Sequence, residues 1–181
     1  MTDVREPPVQ QDGTATTEGA PLVTKKVEAN VRATLVLGTP PAADSVQFDC
    51  IWRSSTDPVG IWHSGPIDLP PKSGVHKLEF TLDDMSGKNL EFYPTGDSAM
   101  WVDVAACPKS DPGNGKNNDQ IHDKDVNPVT KKKLTLRDLN KDEPCLLHYA
   151  LRFDGAPGTD PNTGAACPPY EYDPEIKNGG G

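Results

Sequence analysis

The sequence predicts an all-β chain: an antiparallel β-sandwich of about eight strands with two long polar loops and a disordered amino-terminal tail. Three observations predict it. Apolar residues recur with a period of two in short runs, the pattern of strands that bury one face. The 181 residues include 16 Gly and 19 Pro, and either residue inside a helix costs about 1 to 3 kcal/mol relative to Ala. Those breakers fall mainly in the tail, between the alternating runs and in the loops, where they stop strands rather than interrupt them.

The elements follow in order. Residues 1–28 read as an acidic tail, in which Asp3, Glu6, Asp12 and Glu18 stand against Arg5 with too little apolar surface to offset the entropy of ordering. The sandwich domain is assigned to residues 29–178, and Gly179-Gly180-Gly181 to a frayed end. Val31, Ala33, Leu35 and Leu37 form the first strand, stopped by Gly38-Thr39-Pro40-Pro41. Val46, Phe48, Cys50 and Trp52 form the clearest one. Thr56-Asp57-Pro58-Val59-Gly60 is a turn, from which Ile61-Trp62-His63 returns as a hairpin. Gly65-Pro66 and Leu69-Pro70-Pro71 bracket an edge segment, because proline cannot donate to a ladder.

Leu78, Phe80 and Leu82 mark the next strand, turned by Asp83 to Gly87 into Leu90-Glu91-Phe92. Met100, Val102 and Val104 point inward, with Trp101 and Asp103 on the opposite face. The first long polar loop runs from Pro108 to Lys133, far beyond the usual connection of about 4 to 6 residues. Leu134 and Leu136 begin a short strand, and Leu147, Tyr149, Leu151 and Phe153 a long one. The second loop, Asp154 to Ala166, leads to an extended segment with Tyr170 and Tyr172 on one side. No helix is predicted, and no repeat of fixed period is present.

Composition excludes several function classes. Lys and Arg number 18 against 27 Asp and Glu, a net charge of −9, so broad attraction to nucleic acid or an anionic membrane is not expected. No run approaches the roughly 20 apolar residues that span a bilayer. The polar start, Met1 to Gly19, lacks a basic opening and an apolar run, and the expected compartment is therefore the cytoplasm. Cys50, Cys107, Cys145 and Cys167 are then expected as thiols, Cys50 as a small buried hydrophobe, although an oxidising compartment would permit bridges.

Two constellations could carry chemistry. Asp111, Asn114, Asp119, Asp123 and Asp125 in the first loop, with Asp154 and Asp160 in the second, offer the oxygen ligands that calcium takes. Lys109, Lys116 and Lys124 interleave with them, and a solvated loop is the competing reading. Calcium is the candidate cofactor, and none other is implied. Trp62 with His63, and Trp101 with Asp103, could place an aromatic face and polar groups against a sugar, with packing as the alternative. His63, His76, His122 and His148 have no metal-ligand spacing, and no G-x-S-x-G is present. The chain is therefore expected to be a non-enzymatic interaction module that self-associates or binds a protein partner through strand edges or loops. The alternative is a calcium-dependent carbohydrate-binding module of lectin type, whose partner would be a glycan.

Overall fold

A computed structural model of the chain describes residues 25–38, 44–103, 120–140, 145–155, 170–173 and 175–178. The described residues are almost all β, in two sheets, as the alternation implies. The first sheet has six strands in the order β3-β2-β1-β5-β9-β8. They are β1 (Lys25–Val36), β2 (Ser45–Ser54), β3 (His63–Ser64), β5 (His76–Met85), β8 (Ile121–Val126) and β9 (Lys133–Asp138). The second sheet is centred on β10 (Cys145–Asp154), which pairs on one side with β11 (Tyr170–Tyr172) and β12 (Glu175–Asn178). Its other side pairs with β6 (Glu91–Phe92) and β7 (Met100–Asp103), and β4 (Ile67–Leu69) pairs with β12 beyond it.

The sheets are mixed rather than purely antiparallel. β1 runs parallel to β5, and β4 parallel to β12. The chain leaves the first sheet after β3, contributes β4 to the second, and re-enters the first beside β1. Two neighbouring strands joined by such a crossover are parallel, and alternation alone cannot reveal that. The first strand also starts at Lys25, four residues into the segment assigned to the tail, because Lys25 to Glu28 pair with His76 to Glu79.

Inward residues from both sheets form one core. Val27, Ala29, Val31 and Ala33 of β1 are fully buried, with Leu78, Phe80 and Leu82 beside them. They meet Leu147, Tyr149, Leu151 and Phe153 of β10. Ring contacts join the layers: Phe48 stacks on Phe153 at 5.1 Å, and Phe80 lies 5.5 Å from Tyr149. Burying each such side chain contributes roughly 1.5 to 3 kcal/mol. Cys50 is buried as expected, and burial pushes its thiol up to about 12.

One short helix was not expected. α1 (Gly96–Ala99) has Thr95 as its N-cap, whose hydroxyl accepts from Ser98 N at 3.2 Å. Four residues are too few to show helical periodicity. The stretch expected as the first polar loop is not all loop: Ile121 to Val126 is β8, and a tight turn over Asn127 to Lys132 leads into β9. Asn127 Oδ1 closes that turn by accepting from Val129 N and Thr130 N at 3.0 and 2.9 Å. The three lysines that follow are all engaged, Lys131 with Glu91, Lys132 with the Leu90 carbonyl and Lys133 with Glu79. Among the described residues, no helix is long and apolar enough to cross a membrane.

Candidate functional site at the edge formed by β2 and β3

The first sheet ends on one side in β2 and the two-residue β3. β1 pairs with all ten residues of β2, from Ser45 to Ser54. On its outer side β2 pairs only at Ile51 and Trp52, with Ser64 and His63. Among the described residues, nothing pairs with the outer edge of Ser45 to Cys50. Along that span Ser45, Gln47 and Asp49 are exposed, while Val46 and Phe48 are half-buried toward the core. A strand with an open edge presents backbone donors and acceptors in a row.

The hairpin between β2 and β3 adds an apolar surface. Val59, Ile61 and Trp62 are exposed at its tip, and Ile51 on the adjoining outer face of β2. The turn that holds them is built by Asp57, whose Oδ2 accepts from Ser54 N at 2.7 Å and lies 3.1 Å from His63 Nε2. Gly60 has φ of +89°, which a β-branched residue could not adopt without strain. Arg53 places its guanidinium 4.8 Å from the centre of the Trp62 ring. The same Arg53 pairs with Glu28, which also binds Lys26 at 2.8 Å. Lys26 first and Arg53 second hold the Glu28 carboxyl below its ordinary range.

Behind the hairpin the mouth of the sandwich opens as a cleft of about 450 Å³ lined by Trp52, His63, Asp57, Asp68, Leu69 and Lys25 among others. Trp52 is not a free platform there. Its ring lies 4.6 Å from that of His63, and its Nε1 donates to the Pro66 carbonyl at 3.0 Å. The cleft floor includes His76, buried in a polar knot: Ser73 Oγ lies 2.7 Å from His76 Nε2 and accepts from Asn140 Nδ2 at 2.8 Å. Burial, and then the Lys25 charge, hold the His76 imidazole below its ordinary range. Asn140 Nδ2 also donates to the Pro70 carbonyl at 2.7 Å, so the knot ties the segment after β4 to the end of β9.

The residues expected to carry chemistry are not brought together. Trp62 and His63 adjoin the edge, with Trp62 exposed and His63 turned to Asp57 and Trp52. Trp101 is the correction: it is only 3% exposed and packs with Ala150, its cross-strand partner on β10. The outward face of β7 is thus buried too, so Trp101 offers no ring to a sugar. Asp103 sits opposite His148 on β10 in the second sheet, whereas Trp62 directly precedes β3 of the first.

The candidate metal ligands are separated as well. Asp123 and Asp125 lie on β8 rather than in a loop, and Asp123 is paired with Arg137. Asp154 ends β10 and accepts from Gly155 N at 2.9 Å. Asp111, Asn114, Asp119 and Asp160 lie outside the described residues, as do Cys107 and Cys167. Among the described residues, no three His, Cys, Asp or Glu side chains are grouped to hold a metal ion.

Sequence reasoning missed Arg53, Asp57, Ile61 and the open span of β2. The turn signal at Thr56 to Gly60 was legible, but a hairpin of two strands does not announce which strand lies at the sheet's edge. No family model matches the chain, and no curated protein matches it.

Proposed function

We propose that the chain is a non-enzymatic interaction module, self-associating or binding a protein partner through the edge formed by β2 and β3. The observation that carries the reading is the open edge of Ser45 to Cys50 continuing into exposed Ile51, Val59, Ile61 and Trp62. Backbone pairing supplies affinity in β-augmentation, and flanking side chains supply selectivity. Trp and Arg, here stacked on each other, are the residue types that dominate binding energy at protein interfaces. The carbohydrate reading has Trp62 alone as an exposed ring among its aromatic candidates, and no observation favours it over the protein one.

The test compares wild type with Ile61→Arg and Trp62→Ala, both at exposed positions that leave the core intact. Sedimentation over a concentration series and affinity capture with quantitative mass spectrometry are the readouts. The reading expects self-association, or a captured protein, that is weakened about tenfold by either change, the cost of truncating an interface anchor. A strict monomer whose captured proteins are the same for all three chains would overturn it.

A further inference from the structure

We infer that the partner at the open edge is a second copy of this chain, joined by antiparallel pairing of β2 with β2 about a twofold axis at Gln47. The inference rests on the reading above and gives it a specific occupant and register.

Natural sheets block their edges, and two of the other described edges here carry such devices. β8 is bulged between His122 and Asp125, carries Asp123, Lys124 and Asp125 in a row, and has α1 packed on it. β4 is three residues long, with Pro66 before it and Pro70 after it. Next to them, Ser45 to Cys50 is paired in unbroken register with β1, free of proline and carries the single charge of Asp49. An edge without these devices is built to be paired.

The register follows from parity, charge and space. In an antiparallel pair, residues directly opposite share a face, so the axis must pass through one residue for core side to meet core side. An axis at Asp49 would set two carboxylates against each other. An axis at Phe48 would bring Ser45 against Ile51, whose outer side Ser64 already occupies. An axis at Gln47 uses only the free span. It places Val46 against Phe48 of the other copy on the core side, an aromatic and β-branched pair of the favoured kind. On the outer side it sets Ser45 against Asp49, a hydroxyl donor facing a carboxylate, and Gln47 against Gln47. No like charges face each other, and the two six-stranded sheets become one of twelve. A twofold isologous contact of this kind closes at the dimer and leaves no edge for further growth.

The axis makes a sharp test, because an exposed residue on it meets itself. Gln47→Lys and Gln47→Glu each set like charges about 5 Å apart and should weaken the dimer about fivefold at low salt. Mixing equal amounts of the two variants should raise the heterodimer above the roughly one half of all dimers that random assortment gives, read by native mass spectrometry, and about 1 M salt during mixing should return it to that share. If wild type and variants dimerise equally and the mixture assorts at random, the axis is elsewhere and the inference fails. If association responds to Ile61→Arg but not to Gln47 changes, the interaction module stands while this register does not. A chain that stays monomeric to millimolar concentration overturns the inference, and capture of a protein sensitive to Trp62→Ala then decides the broader reading separately.

Discussion

The two sides of the first sheet end differently, in β2 with a stub of β3 and in β8. β8 carries alternating charge and a bulge at which Asp123 takes φ of +52°. The side chain of its Lys124 is turned inward and only 2% exposed, where Nζ donates to the Met100 carbonyl at 3.2 Å and pairs with Asp97 at 2.9 Å. α1 is laid against it so closely that a Cβ on Gly96 would overlap the Lys124 backbone and come within 2.6 Å of Lys124 Cβ. β2 has none of this along Ser45 to Cys50, where it keeps an unbroken register with β1 and the single charge of Asp49. The difference teaches that two edges of one sheet can end differently: among the described residues, α1 of the same chain packs on β8, while no strand pairs with the outer side of β2 along Ser45 to Cys50.

The largest expected effect breaks the closed side. Gly96→Ala should destabilise the protein by about 3 kcal/mol, the upper end for overpacking, because the obstacle is backbone and cannot rotate away. Chemical denaturation measures it, and a near-neutral result would mean that α1 does not cover β8. Phe48→Ala at the open side should cost about 2 kcal/mol, less than for a sealed core ring, since Phe48 is half-buried and loses chiefly its stack on Phe153. Equal costs for Phe48→Ala and Phe153→Ala would remove the edge character of β2. Lys124→Ala leaves the Met100 carbonyl without its ammonium donor and should cost about 1 kcal/mol, with Lys124→Met recovering the packing but not the hydrogen bond.

Smaller effects come from titration. The unfolded chain protonates His76 near pH 6.5, where the folded chain resists it. The folded state therefore keeps this contribution above pH 6.5 and loses it as the pH falls toward the lowered folded value. Urea midpoints from pH 7.5 to 5 should fall less steeply for His76→Gln than for wild type. The smallest change is Glu28→Gln on the outer face beside β2, at most about 1 kcal/mol because the ion pairs are partly exposed. Its depressed carboxyl contributes stability that is present above the ordinary carboxylate range and is lost as the pH falls through the lowered folded value, so wild type and variant should converge in acid.

Much of the fold was legible because alternation is a local record of burial. Val46, Phe48, Cys50 and Trp52 showed which face of β2 meets the core, and Leu147, Tyr149, Leu151 and Phe153 did the same for β10. The proline pairs around Ile67 to Leu69 marked an edge segment correctly. The candidate site was far less legible. Trp101 lay on the face that alternation marks as outward, yet it is buried, because a sheet face is wet only where nothing covers it. Asp123 and Asp125 resembled loop ligands because their strand is bulged and charged, which erases the period of two.

By itself the sequence determined the all-β class, the two-layer core, the inward residues of nearly every long strand and the turn at Thr56 to Gly60. These depend on side chains within a few positions of one another. The tertiary structure alone decided that β1 runs parallel to β5, that α1 packs on β8, and that, among the described residues, no strand pairs with the outer side of β2 from Ser45 to Cys50. Strand neighbours are chosen by contacts between residues tens of positions apart, and a strand at an edge is written in the same alternation as a strand in the middle of a sheet.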